Sequence, residues 1–114
     1  MTYTSTEELV RVLYFVRKRP GMFIMPLTLS SLGNLIGGYR LCCTLNHIHQ
    51  DEYDFLEEFR CWLQNAYHME RGNQYSWWNV ILQKVPEDGM TAINEFYRMM
   101  DMFLEEKQIA VPFG

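Results

Sequence analysis

The chain has 114 residues, of which 48% are apolar, 15% aromatic and 21% charged, a composition that excludes a wholly disordered or low-complexity polypeptide. A chain of this length buries about two thirds of its extended surface, enough for one core over residues 1–114 and too little for two. Its formal net charge of -4 divides unevenly: residues 1–40 carry +3 and residues 41–114 carry -7. That balance argues against a general nucleic-acid binder, which needs clustered lysine or arginine to neutralise phosphates.

No apolar run approaches the roughly 20 residues of a membrane-spanning helix, and Thr2 to Glu8 hold no signal-peptide pattern, so the expected compartment is the cytoplasm. Cys42, Cys43 and Cys61 are an odd set with two adjacent members, which suits free thiols in a reducing environment better than a disulfide framework.

In chain order, Ser5 and Glu8 form a capping-box pair, and Leu9, Val10, Leu13, Tyr14 and Val16 recur at helical spacing. A first helix is predicted over about residues 6–18, its end carrying Arg17 and Lys18 against the negative end of the dipole. Pro20 and Gly21 end it, and Arg19 to Ile24 read as a turn leading into a short extended piece that folds Phe23 and Ile24 back over the core.

Thr28 or Ser30 can cap a second helix carrying Leu32, Leu35, Ile36, Tyr39, Cys42 or Cys43, and Ile48. Gly37 and Gly38 inside it cost about 1 kcal/mol each relative to alanine. Either another helix crosses closely there or the segment breaks in two.

Asp51 is a candidate N-cap for a third helix, with Phe55, Phe59, Leu63 and Ala66 beside Trp62 on one side and Asp54, Glu57, Cys61 and Gln64 on the other. Ser76 caps a short fourth helix with Trp77, Trp78, Ile81 and Leu82, for which a strand over Trp77 to Leu82 is the rival reading. Asp88 is expected to cap a last helix, with Ala92, Ile93, Phe96, Met99, Met100, Phe103 and Leu104 inward, and the apolar tail from Ile109 docks on the core. The expected fold is therefore all-α, a compact single-domain bundle of four or five helices joined by short loops.

Catalytic and metal chemistry find little support in these residues. Cys43 and His47 lie one turn apart on a helix, with Cys42 adjacent and His49 pointing elsewhere, but no CxxC pair or second ligand set accompanies them. Asp54 and Glu58 are also one turn apart, in surroundings too charged to desolvate a general acid. The chain has no serine elbow, phosphate-binding glycine loop or HExxH pattern, and the reading is of no enzyme, no cofactor and no metal.

What remains is a protein interface. Five carboxylates fall within the eight positions from Asp51 to Glu58, and Asp54, Glu57, Glu58 and Gln64, with Tyr53 close by, would present acceptors around an aromatic anchor to a basic partner.

Several segments also resemble a known family. Arg19-Pro20-Gly21-Met22-Phe23-Ile24, then Ser31-Leu32-Gly33-Asn34-Leu35-Ile36-Gly37-Gly38-Tyr39, the later Phe59-Arg60-Cys61-Trp62-Leu63, the Trp77/Trp78 pair before Ile81, and Ala92 to Phe96 are similar to small bacterial immunity proteins of contact-dependent growth inhibition and other polymorphic toxin systems. Phe23 stands where the pattern has tyrosine and Met25 where it has glycine. The resemblance implies a stoichiometric inhibitor without turnover, whose partner is a cognate toxin domain. Acidic immunity proteins commonly oppose basic nucleases, because a nuclease must carry positive potential to hold its substrate. A small helical adaptor or regulator, acting through self-association or within a larger complex, is the alternative and would need a self-complementary apolar patch.

Overall fold

In the computed structural model, residues 5–46, 52–70 and 75–110 are described, apart from the side chains of Ser5 and of residues 52–54. Among the described residues six helices follow one another: α1 (Ser5–Lys18), α2 (Pro20–Phe23), α3 (Leu29–Leu45), α4 (Glu52–Ala66), α5 (Trp77–Leu82) and α6 (Thr91–Glu106). The described residues contain no strand, so the all-α bundle is the fold, and the Trp77–Leu82 segment is helical. The expected caps at Ser5 and Asp51, and His47, Ile48 and His49, lie outside the described side chains or residues.

α1 forms where the periodicity places it, with Leu9, Val10, Leu13, Tyr14 and Val16 all buried. It stops because Pro20 drives Arg19 out of the helical region, to φ -145° and ψ 66°. The segment that follows corrects the extended reading. Proline is well suited to a first helical position, and Pro20 opens a single turn closed by the Ile24 N–H donating to the Pro20 carbonyl at 2.9 Å. Ile24 is buried as expected, whereas Phe23 stays at the surface, its ring 5.6 Å from that of Phe15.

Thr28 caps α3 by accepting from the Ser31 N–H at 3.2 Å, and the Glu87 carboxylate takes the Ser30 N–H at 2.7 Å. α3 continues without a break through Gly37 and Gly38, and the close approach expected there is absent: a Cβ on either would meet nothing within 4 Å. The tight contact lies one turn earlier. At Gly33 a Cβ would sit 2.7 Å from Trp78 Cδ2, so it is this glycine that lets the indole lie against the helix backbone.

α4 sends Phe55, Leu56, Phe59 and Leu63 inward, and ends at His68, whose φ of 57° lets the Met69 N–H reach back to the Gln64 carbonyl at 2.8 Å. Ser76 caps α5 through the Asn79 N–H. α6 buries every residue expected of it, but not through an Asp88 side-chain cap: Met90 occupies the cap position, and the Asp88 carbonyl accepts from the Thr91 N–H at 2.9 Å. Of the apolar tail expected to dock, Ile109 packs on the core, while Val111 to Phe113 lie outside the described residues.

Phe59 is the centre of the interior. Its ring lies 5.8 Å from Phe96 edge-on, 5.3 Å from Phe103 and 6.4 Å from Trp77, so one residue of α4 joins α5 and α6 through offset and edge-on ring contacts. α1 is tied to α6 by polar groups. The Tyr97 hydroxyl donates to the Leu13 carbonyl at 2.6 Å, and Asp101 accepts from both the Tyr14 hydroxyl and Arg17. Arg17 also lies 5.0 Å over the Tyr97 ring, so it is engaged within the fold as well as sitting at a helix end.

Candidate protein-binding groove

α4 and the end of α6 run side by side and leave an open groove of about 760 Å³ between them. α4 contributes Glu57, Glu58, Cys61 and Trp62, while Phe103, Glu106 and the adjoining Lys107 come from the other wall. The partly exposed Trp62 makes an aromatic floor, backed by the buried Phe103 with ring centroids 5.5 Å apart. The Trp62 indole N–H donates to the Glu106 carboxylate, which fixes the ring and holds the charge at the groove's rim.

Each acidic group has a distinct state. Glu58 pairs with Lys107, whose ammonium lies 5.9 Å from the Phe103 ring centroid. Both side chains of that pair are about half exposed, and so exposed an ion pair is worth less than about 1 kcal/mol. An incoming cation can therefore replace Lys107 at little cost. Glu57 accepts from Arg60 Nε at 3.0 Å and Nη2 at 2.6 Å, both on Oε2, so its Oε1 retains acceptor capacity toward the groove. Three carboxylates around the partly exposed Trp62 indole can hold a guanidinium or ammonium, the indole covering its aliphatic stem while the oxygens take its protons.

The expected interface residues divide. Glu57 and Glu58 come together in this groove, whereas the side chains of Tyr53 and Asp54 lie outside the described residues. Gln64 must be corrected: it is fully buried, and its Oε1 accepts from Arg60 Nη1 at 3.3 Å. The reason is the neighbour on that flank. Residues 75–78 cover α4 on the side of Leu56, Glu57 and Arg60, with Arg40 beside them, around a smaller hollow of about 340 Å³. The side of α4 that charge alone marked as outward is half covered by α5, and Gln64 supplies the acceptor that a buried guanidinium requires.

Trp62, Phe103, Glu106 and Lys107 were not singled out by the sequence as binding residues. Trp62 and Phe103 read as core on periodicity, and nothing local brings Trp62 and Glu106 together. Among the described residues, no three His, Cys, Asp or Glu side chains converge as a metal-ligand set, and no helix is long and apolar enough to cross a membrane.

Away from the groove, the Arg98 guanidinium, with help from the Tyr67 hydroxyl, holds the Glu95 carboxyl below the ordinary carboxylate range. Burial, reinforced by Asp101, pushes the Tyr14 phenol up, and burial does the same to Tyr67 and Tyr97. The Ser30 hydroxyl and N–H lower Glu87.

Fold and groove together define a small all-α domain with an acidic, aromatic-floored surface cleft. No family model, curated protein or solved structure matches the chain.

Proposed function

We propose that this chain is an immunity protein that acts in the cytoplasm, binding a basic bacterial toxin domain one to one and neutralising it without turnover. The observation that carries the reading is the convergence of Glu57, Glu58 and Glu106 from two helices over Trp62 and Phe103, which suits an arginine or lysine side chain presented by a positively charged protein. The resemblance of the Arg19 to Ile24 and Ser31 to Tyr39 segments to immunity proteins supports the same reading. Among toxins, nucleases fit best, because their substrate demands the positive potential that this groove complements.

The test is co-expression with the toxin encoded beside this gene, followed by purification of the complex. The intact chain is expected to protect cells and to co-purify one to one. E58K/E106K is expected to cost several kcal/mol of binding if the groove is desolvated on contact, with the helical circular dichroism spectrum retained. If the charges act only in long-range attraction, association slows and loses salt dependence while dissociation changes little. Unchanged affinity and kinetics would move the interface elsewhere on the chain. Failure of the intact protein to bind or protect would favour the second reading, an adaptor acting through self-association, for which the exposed Phe15, Met22, Phe23 and Met25 speak.

A further inference from the structure

Each carboxylate of the α4–α6 groove commits one oxygen inside the fold. Glu57 accepts from Arg60 on Oε2, Glu106 accepts from the Trp62 indole N–H on Oε2, and Glu58 holds the Lys107 ammonium with its own Oε2. The three donors are not held equally. Arg60 is only 8% exposed and is bound a second time by the Gln64 side chain, while the Trp62 ring stacks on Phe59 and meets Phe103 as well. Lys107 has the weakest hold, a pair about half exposed at both ends and a ring centroid 5.9 Å from the ammonium, near the limit of cation–π reach. Of the three, it is the one that can leave.

The backbone beneath Lys107 stays in place when its side chain moves. The Lys107 N–H donates to the Phe103 carbonyl at 3.0 Å, and the Ile109 N–H returns to the Leu104 carbonyl at 2.9 Å through Gln108 at φ 61°. Ile109 then packs on the core, so both sides of Lys107 are anchored. Rotation of the four-carbon stem alone can carry the ammonium from Glu58 into water, where it is strongly hydrated. That rotation changes what the groove offers. Glu57, Glu58 and Glu106 against Arg60 and Lys107 leave one net negative charge, and with Lys107 swung away there are two.

We infer that Lys107 is a resident competitor in this groove: its ammonium occupies Glu58 until a lysine or arginine side chain of the partner displaces it, so that binding exchanges one cation for another instead of filling an open acidic site. The inference rests on the reading of the groove as the partner-binding surface and adds its regulation. A tethered lysine is present at high effective concentration, so a lone cation from solution competes poorly with it. A partner that reaches Glu57 and Glu106 at the same time as Glu58 gains contacts that Lys107 does not make. The competitor thus lowers affinity for every cation while favouring a partner that fits the whole groove.

The test is a nuclear magnetic resonance titration of the full chain with Nα-acetyl-arginine amide, against sodium chloride at equal ionic strength. The chain has three lysines, Lys18, Lys84 and Lys107, so the Lys107 Cε–Hε signal is the one that K107Q lacks. The probe is expected to shift the Trp62 indole N–H and, with the same midpoint, to move the Lys107 signal to the position of the exposed Lys84. K107Q should bind the probe about two- to fivefold more tightly than wild type, the range of an exposed ion pair. K84Q, which removes the same charge elsewhere, should leave the midpoint unchanged, and unaltered backbone amide signals show that both variants are folded. A probe that moves Trp62 while Lys107 stays, one that moves neither, or a K107Q midpoint equal to that of K84Q would each overturn the exchange. Repeating the Lys107 measurement on the toxin complex separates the two proposals. A toxin that shields Glu57, Glu58 and Glu106 from chemical labelling with Lys107 unmoved keeps the interface and overturns the exchange alone, whereas probe-driven exchange with no toxin at the groove does the reverse.

Discussion

The α4–α6 side and the α1–α2 side of the bundle both bring aromatic rings to the surface, but they treat them differently. At the groove, Trp62 and Phe103 are flanked by charge, the indole N–H being held by Glu106 while Lys107 lies over Phe103. At α1, the Phe15 and Phe23 rings lie 5.6 Å apart and both are exposed. The difference teaches what each surface can accept. A charged rim over a ring admits a cation with an apolar stem, whereas the α1–α2 side offers a mainly apolar surface.

The contrast is sharpest in the consequences of removing a ring. Phe59→Ala takes away the residue that joins α4 to α5 and α6 beneath the groove, and should destabilise the fold by about 3–5 kcal/mol in chemical denaturation. Phe15→Ala, on the half-exposed outer face of α1, should cost less than about 1 kcal/mol in the monomer. Similar losses at the two positions would mean that α1 is built into the core more deeply than its exposure indicates.

The same division runs along α3. Gly33 lies beneath Trp78, so Gly33→Ala should destabilise by about 1–3 kcal/mol through overpacking. Gly37→Ala, in the open half of the helix, should stabilise by up to about 1 kcal/mol through helix propensity. Denaturation midpoints moving in opposite directions would confirm where the close approach lies, and a loss at Gly37 would contradict it.

Much of the fold was legible because single-helix periodicity suffices to mark a buried face. α6 is the clearest instance: its inward set from Ala92 to Leu104 follows from spacing alone. α2 departs from the extended reading because the proline that ends α1 also has a fixed φ that suits it to begin the next turn. The Gly37-Gly38 pair drew attention to the wrong turn of α3, since a glycine's role depends on which side chain faces it, and Trp78 is far away in sequence. Of the groove, only Glu57 and Glu58 could be read locally. Gln64 could not, because its burial depends on Arg60 needing an acceptor beneath α5, and the second wall comes from residues about forty positions further on.

The smallest expected effects are those of pH. The Glu95 carboxyl is held below its ordinary value in the folded state, so the unfolded chain takes up the proton first as pH falls. Its contribution is whole above the ordinary carboxylate range near pH 4.3 and is lost as pH falls through the folded value. Glu95→Gln should therefore lessen the fall of Tm between about pH 5 and pH 3. At the alkaline end the sign reverses. Tyr14, Tyr67 and Tyr97 keep their protons longer when folded, so their contribution is whole below about pH 10 and declines above it.

The most direct test of the groove as the toxin-binding surface is carbodiimide labelling of carboxylates, read by mass spectrometry on the free chain and on its complex with the neighbouring toxin. Glu57, Glu58 and Glu106 should label in the free protein and be shielded in the complex, while Glu8 labels equally in both at concentrations where the chain is monomeric. Shielding at Glu8 with Glu57, Glu58 and Glu106 still reactive would contradict the assignment and place the toxin on α1 instead.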